Sequence, residues 1–308
     1  MRYLVVGAGA LGGYFGGRLL EAGCDVTFLL RPRRAEALAR TGLIVKSRFG
    51  DLALAAPPHA LAATVASPFD VVIVACKAYD LAETMASFAP AIGPDTAILP
   101  LLNGMRHLDE LKERFGAPRV LGGLCLISAT LDAEGAVHHL NDLHSLAFGE
   151  LDGTASARVA AIQADFAKAK FEGRSTPQIL QEMWEKWVFI AAAAGITCLM
   201  RASIGDIVAA GAGDLSAALL DECRAVAAAS GYAPRAPSIE RARSMLTASA
   251  SPITASMLRD IERGAPVEAD HVLGELLRRA QPPLPASSLL RLACAHLKAY
   301  EARRSRTA

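Results

Sequence analysis

The first nineteen residues constrain the fold more than any other stretch. Tyr3-Leu4-Val5-Val6 is a continuous apolar run, Gly7-Ala8-Gly9-Ala10-Leu11-Gly12 follows directly, and Leu11, Phe15 and Leu19 then recur at helical spacing. An unbroken apolar run of this length reads as a central parallel strand covered on both faces. Gly7 permits the tight turn off that strand. Gly9, lacking a Cβ, lets backbone approach a pyrophosphate, and Gly12 lets the helix sit close on the sheet. The helix N-terminus adds free N–H groups and a partial positive charge for phosphates. A lone G-x-G-x-x-G is weak evidence, but here a strand precedes it, a helix follows, and a second strand comes at Asp25–Leu30.

The end of that second strand bears on the choice of nucleotide. Leu29-Leu30-Arg31-Pro32-Arg33-Arg34 contains no acid to accept from a ribose 2′-OH. Arg31 instead suits a 2′-phosphate, which needs charge and forked donors. The expected cofactor is therefore NADP(H) rather than NAD(H); the alternative is a solvated basic loop.

Strands alternate with helices through the first half. Further strands are expected at 70–75, 97–102 and 120–128, helices at 33–40, 79–88, 106–115 and 155–170, and a hairpin over 43–54; 137–139 and 145–148 are expected to pair near the sheet edge. Such alternation implies βαβ units with right-handed crossovers. The pattern changes near Ser175-Thr176-Pro177, beyond which helical periodicity dominates at 182–200, 208–230, 238–248, 269–280 and 287–303. The fold class is α/β: an N-terminal Rossmann-type doubly wound parallel sheet over 1–176 and a C-terminal all-helical domain over 177–308.

Composition narrows the function classes. Of 308 residues 52% are hydrophobic, and 32 Lys+Arg face 31 Asp+Glu for a net charge of +1. That is a globular composition without the basic excess of nucleic-acid or membrane-surface proteins. The glycines and Arg18 cut the N-terminal apolar stretch too short for a signal peptide, and the run at 187–200 is too short to span a bilayer, so a cytoplasmic location is expected. The six cysteines form no C-x-x-C pair and read as buried free thiols.

Several residues can carry chemistry. Lys77 directly follows the strand DVVIVAC, at the carboxyl end where ligands bind in open parallel sheets; position alone also permits a strand-end lysine in water. Asn103, in Leu101-Leu102-Asn103-Gly104, is either a turn residue or an amide facing nicotinamide or substrate. Lys186, in Trp184-Glu185-Lys186-Trp187, is either a proton donor or a snorkelling partner of Glu182. Glu268 can equally be an acid favoured by a helix's first turn. His138, His139, Asp142 and His144 cluster in sequence, but nothing fixes metal geometry, and a solvated edge with no metal is expected.

Together these residues resemble the ketopantoate reductase family (2-dehydropantoate 2-reductases) over nearly the whole chain. The matching motifs are GAGALG, CKAYDL, LLNGM, FGEL, WEKW and ASMLRDIERGAPVEAD. The resemblance implies NADPH-dependent reduction of a small anionic 2-keto acid, ketopantoate above all, to a 2-hydroxy acid. It also implies roles. Lys186 looks like the proton donor, Glu268 the acid contacting a substrate hydroxyl or the cofactor, Asn103 and Lys77 the groups orienting nicotinamide and substrate, and Ser256 a contact of the substrate carboxylate. Ser128 and Ala129 look like cofactor-side backbone. One departure stands out: where well-known members carry substrate-binding asparagines, this chain has Ile190, Ala194, Ile204 and Ile253, with Thr197 and Arg201 on adjacent turns as substitutes. A more apolar 2-keto acid, or a non-catalytic NADP(H) sensor, are the alternatives this raises. Oligomeric state is left open, a homodimer included.

Overall fold

The computed structural model describes residues 1–307. The chain forms two compact units, one of Met1–Leu102 and His107–Leu180, the other of Asn103–Arg106 and the chain from Gln181 onward.

The first half contains, in order, β1 (Arg2–Val6), α1 (Ala10–Glu21), β2 (Asp25–Leu30), α2 (Pro32–Thr41), β3 (Leu43–Lys46), β4 (Leu52–Leu54), β5 (His59–Leu61), β6 (Val71–Val74), α3 (Leu81–Phe88), β7 (Ala97–Pro100), α4 (Arg106–Phe115), β8 (Leu121–Leu131), β9 (Val137–Glu150), α5 (Ala157–Phe166) and β10 (Glu172–Ser175). Strands β5-β2-β1-β6-β7 make a parallel sheet of the expected kind, with nearly all side chains of β1 and β6 buried. β5 is an edge strand the sequence does not suggest, and the strand expected at 120–128 joins the second sheet instead, antiparallel to β9. A second sheet, in the order β10-β9-β3-β4 with β8 also on β9, packs on the other side of α1. That helix is thin enough to lie between them: a Cβ on Gly16 would come within 2.7 Å of the Phe28 ring, and one on Gly13 within 3.0 Å of Val137.

The expected pairing of 137–139 with 145–148 is not what forms. Both segments belong to β9, which runs antiparallel to β8 from Leu121↔Glu150 to Leu131↔Val137. The register jumps between Ile127↔His144 and Ala129↔His139, so 140–143 bulge out opposite Ser128. Asn141-Asp142 resembles a turn in sequence, but Asn141 Oδ1 accepts the Ser128 N–H at 2.9 Å and keeps the bulge within one strand.

The histidines here do more than line a solvated edge. His138 pairs with Asp132 at 2.7 Å, His139 Nδ1 with Ser47 Oγ at 3.0 Å, and His144 Nδ1 with the Tyr14 hydroxyl at 2.8 Å, while Phe49 stacks on His144. Burial, helped by nearby His139 and Arg18, lowers the His144 pKa below 6.5, and burial does the same to His296. The unfolded chain then binds more protons just below that value. The stability contributed by these rings is present above pH 6.5 and is lost as the pH falls through it. The thermal midpoint should therefore drop between about pH 7.5 and about pH 5.5, and His144→Asn should flatten the slope. A slope identical in the variant would exclude His144 as a contributor.

The second half contains α6 (Ile179–Met200), α7 (Ile204–Ala209), α8 (Gly213–Ala229), α9 (Ala236–Leu246), α10 (Ser256–Glu262), a π-helical turn at Asp270–Gly274, α11 (Glu275–Arg279) and α12 (Leu289–Thr307). The single helix expected at 208–230 is broken. Gly211 adopts φ +79°, a left-handed conformation open to glycine, and separates α7 from α8. The apolar run at 187–200 sits in a helix of 22 residues, longer than the run itself; by length and composition α6 could cross a membrane, but 67% of its most apolar window is buried in the fold. The Glu222 carboxylate on α8 accepts from the Ser288 hydroxyl and from the N–H groups of Leu289 and Leu290, and so caps α12.

Cys125, Cys198, Cys223 and Cys294 are buried free thiols, whereas Cys24 and Cys76 are only half-buried, against the expectation for all six. Burial pushes the Cys198 thiol up to about 12 and raises Cys24 and Cys294, which keeps these groups protonated and unreactive.

Candidate active site

The glycine loop joins β1 to α1. Gly7 takes φ +92°, and its N–H donates to Leu29 O at 3.0 Å, which ties the loop to β2. A Cβ on Gly12 would overlap the Gly7 carbonyl oxygen and lie 3.3 Å from Ala75 Cβ, so the close helix–strand approach requires glycine. Gly9, by contrast, has nothing within 4 Å of where its Cβ would be. The first N–H groups of α1, at Ala10, Leu11 and Gly12, have no partner within the helix. Open space beside unsatisfied N–H donors at a positive helix end fits a pyrophosphate.

Arg31 caps α2, with Pro32 at its first position. Its guanidinium lies 3.0 Å from Glu83 and 3.4 Å from Asp80 and is 57% exposed. Pairs this open to water are worth about 0–1 kcal/mol, so they leave Arg31 able to exchange partners. Lys77 lies three residues past β6, and its carbonyl accepts from the Asp80 N–H at 3.0 Å. Ala129 is half-buried opposite His139, beyond the bulge whose Ser128 N–H is bound by Asn141.

In the second unit, Lys186 is half-buried on α6 and, among the described residues, has no hydrogen bond or ion pair, so the alternative of a pair with Glu182 does not form. Its neighbour Glu185 is committed elsewhere. It accepts from Arg235 Nε and Nη2, both at 2.7 Å, and from the Arg235 N–H at 2.9 Å. Burial opposes ionisation of Glu185, but the bonds from Arg235 and Gln181 outweigh it and hold the carboxyl below its usual range. Trp187 Nε1 donates to Val272 O at 2.9 Å and ties the Lys186 helix to the π-helical turn just after Glu268.

That turn is fixed from other sides as well. The Val267 N–H donates to Glu301 on α12, the Tyr300 hydroxyl donates to Ala265 O, and the Val272 N–H donates to Glu268 O. His271, one turn on from Glu268, packs against the Asn103-Gly104 bend. Gly104 has φ +79°, and a Cβ on it would lie 2.9 Å from His271 O and 3.0 Å from the imidazole. The structure thus brings Asn103, Lys186 and Glu268 onto neighbouring, mutually anchored segments. Ser256 is exposed at the first position of α10. Thr197 is buried, donates to Ala193 O at 2.6 Å and accepts the Ala255 N–H at 3.4 Å; Arg201, at φ +54°, ends α6 exposed. Of the positions that depart from the family pattern, Ala194 and Ile204 are buried, while Ile190 and Ile253 are half-buried.

The anchoring roles of Trp187, His271 and the Glu185–Arg235 pair carry no signal in the sequence. The π-helical turn that follows Glu268, a geometry enriched at functional sites, adds to the motif around that residue a feature that leaves no signal in the sequence.

A parallel sheet with a glycine-rich loop at its carboxyl edge defines a Rossmann-type fold, and the comparisons with known proteins make this chain an oxidoreductase. The family model described as ketopantoate reductase PanE/ApbA matches residues 3–153, and its C-terminal counterpart matches 178–301. The chain belongs to the ketopantoate reductase family. It is 40% identical over 304 residues to the uncharacterized oxidoreductase YkpB of Bacillus subtilis, covering 98% of this chain and 99% of that one. The 2-dehydropantoate 2-reductase of Methylococcus capsulatus superposes with a TM-score of 0.86 at 29% identity, covering 99% of this chain and 98% of that one. A D-mandelate dehydrogenase with NADH and anilino(oxo)acetate shares the fold at 20% identity and a TM-score of 0.87, covering 99% of this chain and all of that one.

Proposed function

We propose that this protein reduces a 2-keto acid to the 2-hydroxy acid with NADPH, 2-dehydropantoate being the leading substrate. The observation that carries this reading is Lys186, a half-buried ammonium without a partner among the described residues, on a helix fastened by Trp187 to the Glu268 segment. When bound, the nicotinamide supplies a hydride. As the ketone carbon is reduced, negative charge gathers on its oxygen, and the Lys186 ammonium stabilises that charge and gives up a proton. Asn103 donates and accepts from its amide to orient the reactants, and Lys77 and Ser256 supply donors for the substrate carboxylate. Glu268 accepts from a substrate hydroxyl. Gly7 to Gly12 hold the pyrophosphate and Arg31 the 2′-phosphate, with Ala129 beside the dinucleotide.

A second reading, a more apolar 2-keto acid, is favoured by Thr197. Its hydroxyl is engaged by Ala193 and Ala255, and the helix from Lys186 towards it runs through Ile190 and Ala194. A panel of 2-keto acids, hydroxylated and hydrocarbon, assayed with NADPH and NADH in parallel tests both readings. The expected result is oxidation of NADPH, and Arg31→Ala should raise the KM for NADPH about tenfold while leaving NADH little changed, the scale of one lost charge-assisted contact. A preference of the wild type for NADH would remove Arg31 from the argument. Binding of NADPH with no turnover of any keto acid would make the protein a nucleotide sensor instead.

A further inference from the structure

The basic segment after β2 has three arginines, and the placement of the last, Arg34, differs from that of Arg31. Arg34 sits in the first turn of α2 and is half-buried. Its Nε donates to Ala8 O at 3.0 Å and its Nη2 donates to Gly135 O at 2.9 Å. Ala8 is the second residue of the glycine loop. Gly135 lies at the turn between β8 and β9, with φ +86°, and a Cβ there would overlap the Arg34 guanidinium. The turn is itself rigid: the Gly135 N–H donates to Asp132 O and the Ala136 N–H to Asp132 Oδ1. One planar guanidinium therefore bridges the loop to a fixed turn.

The consequence follows from peptide geometry. The Ala8–Gly9 bond does not precede a proline and is trans. In a trans peptide the carbonyl and the following N–H point in opposite directions. Holding Ala8 O towards Arg34 aims the Gly9 N–H the other way, and Gly9 caps α1 with open space above it. We infer that Arg34 is a positioning residue for the dinucleotide: it orients the Ala8–Gly9 peptide so that the Gly9 N–H faces the pyrophosphate, whichever nicotinamide nucleotide binds. This rests on the dinucleotide-binding reading above. It separates the two arginines, with Arg31 acting on the 2′-phosphate alone and Arg34 on the part common to both nucleotides.

Equilibrium binding of NADPH and of NADH, followed by nicotinamide fluorescence, tests the inference on wild type, Arg34→Ala, Arg34→Lys and, as reference, Arg31→Ala. Arg34→Ala should raise both dissociation constants about tenfold and leave their ratio within about twofold of wild type, the size of one lost charge-assisted bond. Arg34→Lys, whose single ammonium reaches one carbonyl, should recover part of the loss. In turnover the effect should fall on the cofactor KM rather than on kcat. Unchanged constants in Arg34→Ala, or a loss confined to NADPH, overturn the inference. If thermal melts show that Arg34→Ala does not fold, Arg34→Lys decides alone: about threefold weaker binding of both nucleotides supports the bridge, and wild-type binding refutes it. A wild-type protein that binds neither nucleotide refutes the underlying reading.

Discussion

Lys186→Ala should lower kcat by at least about 10²-fold, the lower end of what a positioned general acid contributes. Two features of the structure make the expected loss large. Among the described residues no carboxylate is paired with this ammonium, since Glu185 is engaged by Arg235, so its charge is available to an oxygen that becomes negative in the transition state. The helix around it is anchored by the Trp187–Val272 bond, so the side chain is presented from a fixed backbone. Binding of NADPH should survive in this variant, because the glycine loop belongs to the other unit. A kcat within a few-fold of wild type would take Lys186 out of the chemistry, and loss of NADPH binding would show instead that the residue supports the fold.

The N-terminal half was readable because its signals are local. An apolar run, a glycine turn and a helical repeat sit side by side in residues 3–19, and each imposes its own backbone. The second sheet was harder. β10, Glu-Gly-Arg-Ser, is polar and short, and it is a strand because β9 offers it a parallel partner from Glu172↔Ser145 to Ser175↔Phe148. The bulge in β9 hid a continuous strand behind a turn-like Asn-Asp pair for the same reason: a distant residue, Ser128, satisfies it. At the site, the residue types that bear charge could be picked out by motif. Their fixation could not, because it depends on pairs far apart in the chain: Trp187 with Val272, Gly104 with His271, Arg34 with Ala8 and Gly135. Hydrophobic periodicity reports which face of an element is buried; it carries no information about which carbonyl a buried indole or guanidinium will find.

Two glycines of the same loop should respond differently to the same substitution. Gly9→Ala puts a methyl group into space that no protein atom occupies within 4 Å, and the backbone there, φ −79° and ψ −163°, is open to alanine. Its cost to folding is limited to a poorer helix cap, about 1 kcal/mol or less, a shift in melting temperature of only a few degrees. The same methyl stands where a pyrophosphate must approach, so NADPH binding should weaken more than about tenfold, and the rise in melting temperature on adding NADPH should vanish. Gly12→Ala drives its methyl into the Gly7 carbonyl, and α1 must move off the sheet to relieve the overlap. That variant should lose about 1–3 kcal/mol of stability, the usual cost of overpacking, along with NADPH binding. Thermal melts of both variants with and without NADPH separate the effects. A Gly9→Ala protein that keeps the full NADPH-dependent rise would mean that the gap above Gly9 is not where the phosphates lie, and the assignment of the nucleotide to this loop would fail with it.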